Sequence, residues 1–341
     1  RYFFYVIAWL CAVSPVMADT PHWENHHLFV SETPKRVLRV ISSTDISFFT
    51  PIIESYLAAN PDTSVEYLVT STAKLDAAFR RTPEAYDLVI SSAMDLQLKL
   101  ANDGHALKVT GLSQPDWAEW RQSLFAFTTE PAAIVINRKA FTGRRVPQTR
   151  QDLILALRAR PDVFRGRIGT YDVRASGLGY LFATQDARMS ETYWRLMEVM
   201  GSLQTKLYCC SGDMIDDLTD GTIMVAYNVL GSYAAARTEA NDDLQIILPA
   251  DFPTTMMRTM FVSHTTRYPD QARDFLRHVI ALQSGAVDRD VFLLPPLASV
   301  QGNIGQSTIG LGPALRPYLD ALKRAPFIKV WVSAIFQNGC A

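Results

Sequence analysis

Short apolar runs broken by polar, hydroxyl-rich turns predict strands that hand over to helices along most of the chain. Val37-Leu38-Arg39-Val40-Ile41 reads as a buried strand, and Ser42-Ser43-Thr44-Asp45 follows as a polar loop. Thr50-Pro51 suits an N-cap and a first helical residue. Ile52, Ile53, Tyr56 and Leu57 then form one helical face, which Asn60-Pro61 ends. A second unit repeats the pattern. Val65 to Val69 alternates as a strand, and Thr70-Ser71-Thr72 leads into a helix bearing Leu75, Ala78 and Phe79. Asp87-Leu88-Val89-Ile90 is a third strand, ending in Ser91-Ser92-Ala93 before a helix from Asp95 to Ala101. Strands alternating with helices predict a mainly parallel sheet. In such sheets ligands sit beyond the carboxyl ends of the strands, and all three of these ends carry hydroxyl groups.

The pattern then changes. Leu124 to Thr129 and Ala132 to Asn137 are two apolar strands in succession, suited to crossing into a second lobe. Thr149-Arg150-Gln151-Asp152 approximates a capping box ahead of Leu153, Ile154 and Leu157. Arg167 to Tyr171 reads as a strand, and Val173-Arg174-Ala175-Ser176-Gly177-Leu178-Gly179 runs from it into a helix. Glu191 to Gly201 is another helix, Ser211-Gly212-Asp213 precedes a short one, and Asp220-Gly221 turns into a strand ending at Tyr227. Leu244 to Leu248 and Thr259 to Ser263 read as strands returning to the first lobe. Pro269 to Leu282 is a helix, and residues 313–337 add two more.

The first residues read differently. Arg1, an apolar run from Tyr2 and the ending Val16-Met17-Ala18 have the form of a secretory signal peptide, with cleavage expected after Ala18. Residues 19–35, with His22, His26 and His27 but few apolar positions, are expected to be a flexible arm, with metal capture as the alternative.

Composition narrows the function classes. The 341 residues carry 33 Lys+Arg against 34 Asp+Glu, a net charge of -1, so no field of one sign favours nucleic acid or an anionic membrane. The length exceeds one ordinary core and predicts two lobes. Of the four cysteines, Cys11 would leave with the signal. Neighbouring Cys209 and Cys210 are not expected to bond to each other, because the small ring strains the peptide. Either one bridges to Cys340 or the thiols stay free. There is no CxxC and no zinc spacing. Enzyme signatures are missing too: Ser176 has Arg174, not Gly, two residues before it, and there is no HExxH or GxxxxGK. An exported hydrolase is the remaining enzyme alternative.

The ordered set EAYDLVISSAMDLQLKLANDGHAL (84–107), FTTEPAAIVINRKAF (127–141), GRIGTYDVRASGLGYLF (166–182), DDLTDGTIMVAYNVLGSYAAAR (216–237) and MFVSHTTRYPDQARDFLRHVIALQSG (260–285) resembles the family-1 extracellular solute-binding proteins. It is most similar to their ferric-ion-type branch, which includes sugar-phosphate receptors and a phosphoglycerate transport regulatory protein. The resemblance implies an α/β, two-lobed periplasmic-binding-protein (type II) fold with a two-strand hinge. It implies lobe 1 over residues 36–130 and 251–310, lobe 2 over 131–250, and C-terminal helices over 311–341 packing on the lobes. It further implies a periplasmic, monomeric, cofactor-free receptor. Such a receptor closes on a small solute and serves an ABC permease or, alternatively, a membrane sensor kinase.

Ferric-binding members hold iron with a consecutive Tyr-Tyr pair where this chain has Tyr227-Asn228, so Tyr227 and Tyr233 are metal candidates only under an iron alternative. The remaining chemistry suits an oxyanion: helix N-termini, hydroxyls and one guanidinium. The expected ligand is therefore a small anion, a phosphorylated metabolite or a carboxylate. The expected ligand-binding residues are Ser42, Ser43, Thr44, Asp45, Thr72, Ser91, Ser92, Arg174, Ser176, Gly177, Tyr227 and Asn228, with Arg258 as a further candidate.

Overall fold

The computed structural model describes residues 23–239, 241–284, 290–297 and 308–337. The expected signal peptide, Cys11, His22 and Cys340 lie outside the described residues. Among the described residues no helix is long and apolar enough to cross a membrane.

The chain enters through strand β1 (Asn25–Phe29), then runs β2 (Arg36–Ser42), α1 (Ile46–Ala59), β3 (Thr63–Val69), α2 (Thr72–Arg81), β4 (Leu88–Ser91) and α3 (Met94–Asn102). β2 pairs in parallel with both β3 and β4, as the apolar runs predict. β1 corrects the expectation of a free arm: it lies antiparallel along β3, from Asn25 opposite Val69 to Phe29 opposite Val65. Its side chains are exposed except for Phe29, so no hydrophobic periodicity marked it. Backbone hydrogen bonding to a sheet edge holds it instead. Instead of gathering into a metal cluster, His26 lies 3.1 Å from Glu66 Oε1 and His27 packs edge-on against Phe29.

α1 also starts earlier than expected. Its N-cap is Asp45, and Pro51 falls inside the helix. Phe49, Ile52, Ile53 and Tyr56 bury one face against Val40, Val65 and Phe275, and that packing outweighs the hydrogen bond Pro51 cannot donate. The consequence is functional, because the N-terminus of α1 lies directly after the polar loop.

β5 (Glu119–Trp120) and β6 (Leu124–Ala126) form the edge of this sheet opposite β1. The chain then crosses through β7 (Glu130–Asn137) into a second sheet. There it forms α4 (Arg150–Ala159), α5 (Pro161–Phe164), β8 (Ile168–Tyr171), α6 (Gly177–Met189), α7 (Thr192–Ser202), β9 (Lys206–Tyr208), α8 (Ser211–Thr219), β10 (Val225–Leu230), α9 (Gly231–Thr238) and β11 (Leu244–Ile247). Thr149 caps α4 as expected, accepting from Asp152 N at 3.0 Å. β8 runs parallel to β9 and β10, and β7 lies antiparallel between β10 and β11. β11 was expected to return to the first lobe. It stays in the second sheet as an edge strand against β7.

The return crossing is β12 (Thr255–Met256), which pairs with Pro131 and Glu130 at the start of β7. β13 (Thr259–Val262) then pairs with β4 and β6 in the first sheet. α10 (Pro269–Ser284) buries Phe275, Leu276 and Val279 in the first core. α11 (Ala321–Phe336) places Phe327, Trp331 and Ile335 in the second core beside Leu196 and Met200.

A buried ion pair ties the two crossings together. Arg258 Nε donates to Glu130 Oε1 at 2.9 Å, and both side chains are fully buried. Glu130 also accepts from Thr128 Oγ1 at 3.1 Å and from Ser232 at the start of α9. Arg258 donates to Thr44 in the loop after β2. A charge this deep is tolerable only when paired and hydrogen-bonded. Here the pair's partners come from both lobes, Thr44 and Thr128 from the first and Ser232 from the second. Arg258 is thus a hinge residue rather than a group open to the cleft.

Candidate functional site

Between the two sheets lies a cavity of about 510 Å³, lined from the first lobe by Glu24, Asn25, Ser43, Asp45, Ser47, Phe48, Thr70, Ser71, Thr72 and Ser92. The second lobe supplies Tyr171, Ser176, Leu178, Cys209, Cys210, Ser211, Gly212, Asp213, Asp216, Tyr233 and Arg237, among others. Each wall is built at the carboxyl ends of parallel strands, where a strand hands over to a helix.

The helices aim their N-termini at this space. α1 begins at Ile46 after Asp45, α2 at Thr72 after Ser71, and α8 at Ser211 after Cys210; none of these three N-caps makes a side-chain capping bond. The first-turn N–H groups of an uncapped helix lack intrahelical acceptors and carry a partial positive charge. First-turn residues of all three, Ser47, Thr72 and Gly212, line the cavity. By contrast α6 is capped twice. Ser176 Oγ accepts from Gly179 N at 3.1 Å within the lobe. Thr72 Oγ1 reaches across from the other lobe and accepts from Gly177 N at 2.9 Å and Leu178 N at 3.2 Å.

That crossing contact defines a closed arrangement. A Cβ at Gly177 would sit 2.8 Å from Leu96 Cδ1, 3.1 Å from Thr72 Oγ1 and 3.2 Å from Ala93 Cβ, all in the first lobe. Glycine therefore lets the lobes meet here. A second crossing contact is Tyr233 Oη donating to Asp45 Oδ1 at 2.9 Å, with Phe48 tilted against the Tyr233 ring at 5.3 Å between centroids. Burial, reinforced by the Asp45 carboxylate, holds the Tyr233 phenol well above its ordinary range, so it stays a protonated donor.

The cavity's acidic side chains are mostly engaged. Glu24 Oε1 accepts from Ser71 N at 3.1 Å, Asp45 from Tyr233, and Asp216 pairs with Arg237 at 2.7 Å. Ser43, Asp45, Thr72, Ser92 and Ser176 thus line the cavity as expected from the sequence. Ser42, Thr44, Ser91 and Gly177 sit just behind it. Ser42 Oγ accepts from Tyr67 Oη at 2.7 Å and from Thr44 N at 2.9 Å, and Ser91 Oγ accepts from Ala93 N at 3.1 Å. These hydroxyls shape the loops.

The other expected ligand residues lie elsewhere. Arg174 does not line the cavity. It is exposed, makes a fork to Asp172 with 2.8 Å and 2.6 Å bonds, and lies over the Phe336 ring. Tyr227 and Asn228 point into the second lobe. Asp186, fully buried, accepts from Arg150 Nη2 at 3.1 Å, Tyr227 Oη at 2.7 Å, Asn228 Nδ2 at 2.9 Å and Thr254 Oγ1 at 2.9 Å. Burial drives the Tyr227 phenol well above its ordinary range, against the pull of Arg150 and with the help of Asp186. A ferric ion needs phenolate oxygens from such residues. The structure does not bring Tyr227 and Tyr233 together, because Tyr227 is held within this buried network.

Several cavity residues escaped the sequence reading. Ser211, Gly212 and Asp213 follow a strand and open a helix, the same signal that marked Ser42 to Asp45, and were not given a ligand role. Asn25 opens the unexpected β1 and Glu24 directly precedes it. Cys209 and Cys210 are joined to each other by a disulfide, contrary to expectation.

No protein-family model matches the chain, and no curated protein matches it. Solved structures do. The substrate-binding protein of an ABC transporter from Agrobacterium tumefaciens is 30% identical, with a TM-score of 0.83 over 93% of this chain and 100% of that one. AfuA from Actinobacillus pleuropneumoniae, a periplasmic binding protein with fructose-6-phosphate bound, is 14% identical at a TM-score of 0.67, over 88% of this chain and 99% of that one. Iron-bound HitA from Pseudomonas aeruginosa is 12% identical at 0.63, over 87% and 99%. The last two share the two-lobed fold. With that fold, a closed cleft between its lobes and a full-length relative at 30% identity, the chain belongs to the substrate-binding proteins of ABC transporters.

Proposed function

We propose that this protein captures a small anionic solute, a phosphorylated metabolite or a carboxylate, between its lobes and delivers it to an ABC permease. One observation carries this reading: uncapped N-termini of α1, α2 and α8, drawn from both lobes, converge on one hydroxyl-rich cavity. Such termini bind oxyanions through backbone N–H groups. An anion bridging α1 and α2 on one side and α8 on the other favours the closed form by its differential affinity. The bound fructose-6-phosphate of AfuA supports a sugar phosphate as one member of the class.

In this reading the protein works in the periplasm after export, as a monomer without a cofactor, and returns its ligand unchanged. A membrane sensor kinase is the alternative partner, since it would engage the same closed lobe pair. The test is a thermal-shift screen on protein unfolded and refolded to strip carried-over ligand. The panel holds sugar phosphates, phosphoglycerates, di- and tricarboxylates, phosphate, sulfate, polyamines and ferric citrate. A ligand that binds only the native state raises the melting temperature by mass action. A shift confined to one anionic class is expected. A shift with polyamines or ferric citrate alone would overturn the anionic assignment.

A further inference from the structure

We propose that Cys209, Cys210 and Asp213 form a redox-gated metal site on the wall of the solute cavity. Oxidised, the two cysteines are locked in a vicinal disulfide. Reduced, they become a dithiol that, with the Asp213 carboxylate, holds one thiophilic divalent cation such as Zn²⁺ or Cd²⁺.

Three observations converge. The two sulfurs and an Asp213 carboxylate oxygen all lie within 4.8 Å of one another. Tetrahedral thiolate coordination at about 2.3 Å per bond separates ligand atoms by roughly 3.8 Å, so the set needs little rearrangement to surround one ion. The group also borders the cavity, where a metal can enter and a water can take the fourth position. Finally, Asp213 is the acidic side chain of this wall that the hydrogen bonding leaves most available. Its Oδ2 is 3.9 Å from Cys209 Sγ, while Asp216 beside it is committed to Arg237 and Asp217 accepts from Tyr208 Oη at 2.5 Å.

The local fold presents both cysteines at a strand-to-helix turn. Cys209 and Cys210 follow the carboxyl end of β9, and Cys210 is the N-cap of the nine-residue α8. In the oxidised state each sulfur spends its bonding on the other, and the chelate does not exist.

The gate needs a reductant. With a phosphine, the S–S bond breaks, phosphorus takes the oxygen of one water, and that water's two hydrogens end on the two sulfurs. The divalent cation then displaces two protons as two metal–sulfur bonds form. A cellular dithiol would do the same by exchange, closing its own disulfide.

The experiment uses the full chain. One sample is reduced with a phosphine and desalted without oxygen; the other is left oxidised. Both are titrated with Cd²⁺ alone, following the ultraviolet thiolate-to-cadmium absorption and the bound metal per chain. One Cd²⁺ is expected in the reduced protein and none in the oxidised protein. Cys209→Ser and Cys210→Ser should each lose it, and Asp213→Asn should weaken it roughly tenfold or more. A Cys11→Ser/Cys340→Ser variant should keep it. Equal binding by both redox forms, retention in Cys209→Ser and Cys210→Ser, or loss in Cys11→Ser/Cys340→Ser would each overturn the site. Free thiols at both positions in the unreduced protein, found by alkylation and mass spectrometry, would overturn the gate.

Discussion

Thr72→Val removes one oxygen and little volume, and its effect should appear in ligand binding rather than in folding. In the closed arrangement the hydroxyl accepts from Gly177 N and Leu178 N of the opposite lobe. Valine leaves both N–H groups facing a methyl in a region where Thr72 is 7% exposed. A buried donor left unpaired costs about 1–3 kcal/mol, and losing a cap costs about 0.5–2 kcal/mol. When the lobes open, water reaches the same groups and the penalty disappears. The substitution therefore penalises closure by about 2 kcal/mol, which weakens solute affinity roughly 30-fold if only the closed form binds tightly. Calorimetric titration with the solute found by screening gives the affinity, and urea unfolding of the solute-free protein gives the stability. The expected pattern is a raised Kd with solute-free stability changed by less than about 0.5 kcal/mol. An unchanged Kd, or a Kd change matched by an equal loss of folding stability, would refute the crossing cap as a closure contact.

Arg174→Ala should leave solute affinity unchanged in the same titration, because its guanidinium is spent on Asp172 outside the cavity; a tenfold loss would put it back in the site. Tyr227→Phe should lower urea-unfolding stability by about 1–3 kcal/mol, since it removes one donor from Asp186 and an acceptor from Arg150 in a dry network, while Kd holds. Burial pushes the Asp95 carboxyl up to about 7. The native protein then keeps a proton that the unfolded chain releases near pH 4, so stability should fall as pH rises from about 4 to 7, by at most roughly 4 kcal/mol. Asp95→Asn should flatten that slope in urea unfolding followed across pH, and parallel slopes for the two proteins would exclude Asp95 as its source.

The first lobe was legible because its central strands β2, β3 and β4 are largely buried and its helices carry one apolar stripe. Val37 to Ile41 and Ile52 to Leu57 show these patterns in the sequence itself. β1 was not legible, because its partner is the backbone of β3, forty residues on, and its side chains stay in water. The hydroxyl loops pointed to the cleft, but the sequence could not say which hydroxyls face it. In Ser42-Ser43 the second lines the cavity while the first braces Thr44. Arg174 misled because its partner stands two residues away in a turn whose geometry only the fold specifies. Tyr227 misled because Arg150 and Asp186, which claim it, are scattered over 77 residues of chain. The Cys209–Cys210 bond ran against a general geometric expectation, so nothing local announced it.

The central claim is that an oxyanion sits where α1, α2 and α8 begin. A crystal structure with the solute identified by screening tests it most directly. The account predicts solute oxygens within hydrogen-bonding distance of backbone N–H groups in the first turns of α1, α2 and α8, with the lobes closed through Thr72 and Gly177. A cationic solute held by Asp45 and Asp213 carboxylates, or density outside this cleft, would contradict it.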